Sequence, residues 1–162
     1  MFRRILKIAL GLIALVVVTL LGVGVAARFH DGPIGPFPGG AFVAGDAAGP
    51  GAGDFSVVKD ESSLELEMTP DHPRSITVWF VVVGGTLYVP SASAESKTWP
   101  GLVANDGRVR VRTGGKIYVL QAMRVTDPAI AALISEAVSV KYGFGDGGPV
   151  EGAWAFALVP RS

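Results

Sequence analysis

An uninterrupted apolar run, IALGLIALVVVTLLGVGVAA at residues 8–27, constrains this 162-residue chain more than any other feature. The run carries no charge, and at about 1.5 Å per residue a helix of that length matches a hydrocarbon layer roughly 30 Å thick. Arg3, Arg4 and Lys7 precede it, and basic residues hold their end of a span in the cytoplasm. The expected topology is therefore a single pass through the cytoplasmic membrane with the rest of the chain periplasmic or extracytoplasmic. The rival is a cleaved secretory signal, with Val25-Ala26-Ala27 as the small-residue cleavage site before Arg28. Signal cores usually run to about 7–15 apolar residues, so length favours an anchor over residues 1–27.

The zero net charge hides an asymmetry. From residue 28 onward there are 11 basic (14 − 3) and 14 acidic residues, a balance of −3. A mildly acidic exported part argues against a nucleic-acid partner, which needs a basic surface. The absence of cysteine removes disulfides, zinc-thiolate sites and thiol nucleophiles. Two histidines, His30 and His72, are too few for a multi-histidine metal site.

Residues 28–54 hold eight Gly and four Pro, including DGPIGPFPGG. Pro lacks a backbone donor and Gly costs backbone entropy, so no regular ladder is expected there. The stretch reads either as a linker off the bilayer or, given Ile34, Phe37 and Phe42, as a lid packed over the domain at 55–162. That domain is rich in strand signals. SSLELEM alternates, with Leu64, Leu66 and Met68 on one face and Glu65 and Glu67 on a solvated one. Ser75–Val83, SITVWFVVV, is apolar on both faces and predicts a central strand buried on each side. Gly84-Gly85 and Gly114-Gly115 predict tight hairpins, the first into TLYVP and the second between RVRVRT (108–113) and KIYVLQAMRV. Asp127-Pro128 opens a helix that Tyr142-Gly143 closes, with Ile130, Leu133, Ile134, Ala137 and Val138 in one stripe. A short helix is expected near 95–105 and a closing strand at Trp154–Val159. The expected fold is mainly β with α: an N-terminal transmembrane helix, then a small six-stranded antiparallel barrel with one or two helices.

Chemistry concentrates after the first hairpin. Ser91 and Ser93 offer hydroxyls and backbone donors, Lys97 a cation, and Trp99 a flat apolar wall. Arg108, Arg110 and Arg112 share one strand face while Val109 and Val111 take the other. A Ser-rich turn leading to a helix start, with cations near, suits a phosphate. The same arginines also fit the solvated face of an edge strand. His30-Asp31 shows no third partner for a triad. GFGDGG (Gly143–Gly148) follows a helix and precedes a strand, the wrong order for a dinucleotide fingerprint.

The succession of central strand, hairpin, LYVPSA, helix start at KTWPGL, basic strand and hairpin strand resembles the flavin- and deazaflavin-binding split-barrel superfamily. That group includes pyridoxamine-phosphate-oxidase-like and nitroreductase-like deazaflavin-dependent proteins. The resemblance covers about residues 60–160 and is strongest over Thr86–Val125. With the apolar N-terminus and DGPIGPFPGG, the chain is also similar to a group of uncharacterised bacterial membrane proteins. The resemblance implies FMN or deazaflavin as cofactor, with haem or no ligand in some relatives, and homodimers with the ligand between subunits. It implies that Ser91, Ser93, Lys97, Thr98 and Trp99 hold the cofactor phosphate, assisted by Arg110 or Arg112. Gly101-Leu102 stands where the deazaflavin enzymes carry Asn-Leu, and Asn105-Asp106-Gly107 where Asn-Pro often precedes the next strand. Two functions follow as expectations: a membrane-anchored flavin-type oxidoreductase, or a non-enzymatic split-barrel module binding a small molecule or a partner near the membrane.

Overall fold

In the computed structural model, which describes residues 2–49, 53–144 and 152–161, the first element is α1 (Phe2–Ala27). Its residues stand exposed as far as Gly22; only near its end do Val23 and Gly24 become half-buried and Ala27 buried. The helix, uncovered along most of its length and uncharged beyond Lys7, is long and apolar enough to cross a membrane.

The strands are β1 (Asp46–Ala47), β2 (Leu64–Met68), β3 (Arg74–Val78), β4 (Val81–Val83), β5 (Thr86–Ser91), β6 (Arg108–Thr113), β7 (Lys116–Arg124) and β8 (Trp154–Pro160). They form one sheet in the order β3-β2-β6-β7-β8-β5-β4, each neighbour antiparallel. The short β1 lies off this path, parallel to the start of β7. The outermost strands of the path, β3 and β4, are consecutive in sequence, with Trp79 and Phe80 between them. A dipeptide can join opposite edges only if the sheet curls, and the result is a half-barrel.

That closure corrects one expectation. Ser75–Val83 is not a single central strand; it bends at Trp79–Phe80 and its halves become the two edges. Phe80 points into the core and is fully buried, while Trp79 faces out. The backbone groups freed at the bend are met by the second long helix, α3 (Pro128–Tyr142). The Phe80 N–H donates to the Tyr142 hydroxyl (3.1 Å) and the Phe80 carbonyl accepts from Lys141 Nζ (3.0 Å). Splitting this run and adding β1 turns the six expected strands into eight.

The hairpins form as read, with Gly84, Gly85, Gly114 and Gly115 all at positive φ. A shorter helix, α2 (Thr98–Asn105), follows a 3₁₀ turn at Ala94–Ser96. Helix α3 is capped by Asp127, whose side chain accepts from the Ala129 N–H, and ends at Gly143 with φ 72°. Its apolar stripe is only partly covered: Ile134 is buried, whereas Ile130 and Leu133 stay exposed. The loop expected at Gly143–Gly148 falls, from residue 145 on, outside the described residues. The core gathers Phe55, Leu64, Leu66, Phe80, Leu87, Leu120 and Phe156, each contributing about 1.5–3 kcal/mol by burial.

Candidate functional site

The structure separates the groups that the sequence placed together. In the sheet order β7 and β8 stand between β6, which carries the arginines, and β5, which ends at Ser91. Two sites result.

The first is a clamp on the outer face of β2 and β6. Register sets Glu67 opposite Arg110 and Glu65 opposite Arg112. Arg110 grips Glu67 with Nε and Nη2 at 2.7 and 2.6 Å, and Nη2 also donates to the Phe42 carbonyl. Arg112 donates to Glu65, to Asp31 (2.8 Å) and to the carbonyls of Ala44 and Asp31. The Phe42 ring lies under both guanidiniums, 4.5 Å from Arg112 and 5.8 Å from Arg110, and is buried. Residues 30–48 thus run across the sheet as a strap. Gly39 pairs with Ser75 of β3 through two backbone bonds, and Ala48 donates to Ile117 of β7. Asp31 accepts from the Val43 and Ala44 N–H groups. Those bonds, Val43 first, and Arg112 beside them hold its carboxyl below the ordinary range against the opposing effect of burial. Glu65 and Glu67 are therefore ion-paired beneath the strap, Glu65 half-buried and Glu67 buried. Asp31 is committed to Arg112, and His30 contacts the Gly32 carbonyl at 3.1 Å. A recess of about 340 Å³ remains between strap and sheet, lined by Phe42, Arg110, Tyr118, Leu120 and Arg161 among others. Its Arg110 guanidinium is already spent on Glu67 and Phe42.

The second site is the elbow from β5 into α2. Ser91 is the last residue of β5, and its side chain follows Leu87 and Val89 to the inner face. It is buried, and its hydroxyl has no hydrogen-bond partner among the described residues. Ser93 is exposed and sits at φ 51°, ψ 51°, turning the chain out of the strand. Lys97 occupies the N-cap of α2 with no side-chain capping bond. An acceptor such as Ser, Thr, Asp or Asn is usual there. A lysine in that place leaves the positive end of a helix dipole beside a second cation. Thr98 is exposed on the first turn, and Trp99 is half-buried with its ring 5.9 Å from Phe156.

Two groups on this elbow escaped the sequence. Trp154 pairs with Ser91 across β8 and β5. Its ring lies 6.4 Å from Phe156 and 3.7 Å below the Arg124 guanidinium. Trp99, Phe156 and Trp154 thus form one aromatic cluster at this end of the sheet. Trp154 was legible as the first residue of a strand, but its neighbours depend on β8 pairing with both β5 and β7, which no local pattern encodes. Arg108 lies elsewhere, exposed and paired with Asp106 and Asp71. Its bond to Asp106 holds that carboxyl below the ordinary range.

The curled antiparallel sheet, closing dipeptide and elbow define the class: a split-barrel protein. Solved structures with the same fold include a Listeria innocua protein named for pyridoxamine 5'-phosphate oxidase, at 21% identity and TM-score 0.51, matching 66% of this chain and 90% of that one. A conserved hypothetical protein of Mycobacterium tuberculosis matches at 16% identity and TM-score 0.54, over 72% and 84%. The haem storage protein HutZ of Vibrio cholerae matches at 10% identity and TM-score 0.53, over 70% and 92%. No curated protein matches the sequence. Residues 55–154 match the DUF2255 family, described as uncharacterized proteins conserved in bacteria, and the chain belongs to that family.

Proposed function

We propose that this protein is a membrane-tethered split barrel that binds a phosphate-bearing ring ligand of the flavin type at the β5–α2 elbow. The observation that carries the reading is the start of α2 with Lys97 at its N-cap, an electropositive point where the cap side chain brings a cation in place of an acceptor. The residues fit such a group. Ser91 brings an orphaned buried hydroxyl, an arrangement that costs about 1–3 kcal/mol when it stays unpaired. Ser93, Lys97 and Thr98 would hold the phosphate, and Trp99 and Trp154 offer aromatic faces for the ring. Arg110 and Arg112 serve the strap in this reading. A bound flavin supplies hydride chemistry, and the protein supplies position and charge. Haem fits less well: His30 is in the strap and His72 in the β2–β3 turn, so neither histidine stands on the elbow to ligate iron.

The test is titration of FMN, a deazaflavin and haem into the full-length protein in lipid nanodiscs, followed by fluorescence and absorbance. Saturable FMN or deazaflavin binding is expected, weakened about tenfold by Lys97→Ala and unaffected by Arg108→Ala. Binding of none of the three would replace this reading with a ligand-free partner-binding module. Equal losses in the two variants would remove Lys97 from the site.

We also infer self-association through the outer face of β7 and β8. There Val119 and Met123 are exposed on either side of the half-buried Gln121, beside the half-buried Ala155, Ala157 and Val159, and a mostly apolar sheet face favours a partner. A dimer by native mass spectrometry, dissociated by Met123→Glu, is the expected result; a monomeric parent protein overturns it.

A further inference from the structure

The end of α1 and the beginning of the strap are packed on each other, and this fixes where the strap's apolar tip lies. After Ala27 the chain closes tight turns through Phe29 N–H to the Ala26 carbonyl and His30 N–H to the Ala27 carbonyl. It then makes a two-residue hairpin in which Ile34 and Phe37 exchange both backbone bonds, at 3.0 Å each. The tip is Ile34-Gly35-Pro36-Phe37, with Ile34, Gly35 and Pro36 exposed and Phe37 half-buried. The hairpin folds back along the helix: a Cβ placed on Gly24 would meet the Phe37 ring at 3.6 Å. Gly24 lies three residues inside the end of α1, a depth of about 4.5 Å along the axis. Phe29 follows the helix end directly and is 87% exposed. The base of the hairpin is held to the barrel. Gly40 donates to the His30 carbonyl, the Ser75 hydroxyl donates to the Gly40 carbonyl, and Arg28 donates to the Pro73 carbonyl.

We propose that the Ile34–Phe37 tip and Phe29 seat in the headgroup–acyl boundary of the bilayer that α1 crosses, making lipid the partner of this face. The proposal rests on the reading of α1 as a membrane span and adds a second, non-spanning contact to it. The span itself argues for lipid as the occupant. An apolar tip resting on a lipid-facing helix about one turn from its end lies at the depth where interfacial elements bury, roughly 5–10 Å. Interfacial elements bury Trp, Phe and Leu side chains at the same level. The consequence is an oriented barrel: lipid contact through the tip, clamped by Arg112 and Gly39, sets one face of the domain against the membrane.

The chain has no cysteine, so single-cysteine probes report one position each. Full-length Pro36→Cys, Val16→Cys and Glu95→Cys are labelled with an environment-sensitive fluorophore and reconstituted in phosphatidylcholine–phosphatidylglycerol vesicles. Quenching is compared between acyl-brominated lipid and aqueous iodide. Position 36 is expected to be quenched by brominated lipid and shielded from iodide severalfold relative to position 95. Iodide quenching at 36 equal to that at 95, with Val16 still quenched by lipid, overturns the proposal and leaves the span standing. Shielding from both quenchers at 36 means that protein covers the tip, and this also overturns it. Loss of lipid quenching at Val16 sinks the span and the proposal together. Phe29→Cys, at a position that is largely exposed in the protein, repeats the measurement should position 36 disturb the hairpin.

Discussion

Gly32 and Gly39 hold the strap by what they lack. At Gly32, φ is +86° and a Cβ would collide with the Arg112 guanidinium; at Gly39 a Cβ would collide with the Gly32 carbonyl. These glycines let backbone and guanidinium approach closely. Gly39→Ala is therefore expected to cost about 2 kcal/mol or more, read as a lowered denaturation midpoint. The arginines divide in the same physical way. Arg112, 20% exposed with Glu65, Asp31 and two carbonyls as partners, should cost about 2–4 kcal/mol on change to Ala. Arg108, paired at the open surface, should cost about 0–1 kcal/mol by the same measurement. Acid acts on Asp31. Its folded carboxyl titrates below the ordinary 3.8, so its contribution is complete above that value and is lost as pH falls through the lower, folded one. The Val43 and Ala44 amide resonances should hold steady from neutral pH to about 4 and move only below it. Movement near pH 6 would place the titrating group elsewhere.

Among elements, α3 does more than cover the barrel. Tyr142 and Lys141 supply the hydrogen bonds that the β3–β4 bend releases, and Tyr142 stacks on Trp79 at 5.0 Å. Tyr142→Phe keeps the stack and removes the hydroxyl; it should cost about 1–2 kcal/mol. Asp127→Ala should cost about 1 kcal/mol through the lost cap. Both are measured by chemical denaturation. Most elements were legible because their signals are local: Asp127-Pro128 and Gly143 bound α3, and double glycines mark the two hairpins. The bend at Trp79–Phe80 was not, because β-branched and aromatic residues read as strand on either side of it. Only α3, arriving about sixty residues later, makes the break tolerable.

Across the whole molecule the same division holds. The apolar run, the two hairpins and the β5–α2 elbow followed from patterns confined to short windows. The clamp did not: Arg110 and Arg112 alternate like solvated edge residues, and their partners Glu67, Glu65 and Asp31 lie 43, 47 and 81 positions away. Trp154 and Arg124 joined the candidate site for the same reason, through long-range pairing of β8. The residues of DGPIGPFPGG have the composition of a flexible tether and the contacts of a strap, so the apolar helix and the barrel are joined by a folded segment. Hydrogen exchange of the full-length protein in nanodiscs, read by mass spectrometry, tests this most directly. The amides of Gly39, Gly40, Phe42, Val43 and Ala44 are all hydrogen-bonded, and peptides covering them should exchange at least about a hundredfold more slowly than unstructured chain. Exchange at the unprotected rate, with β6 still protected, would mean that residues 28–48 are a tether and that the clamp does not form.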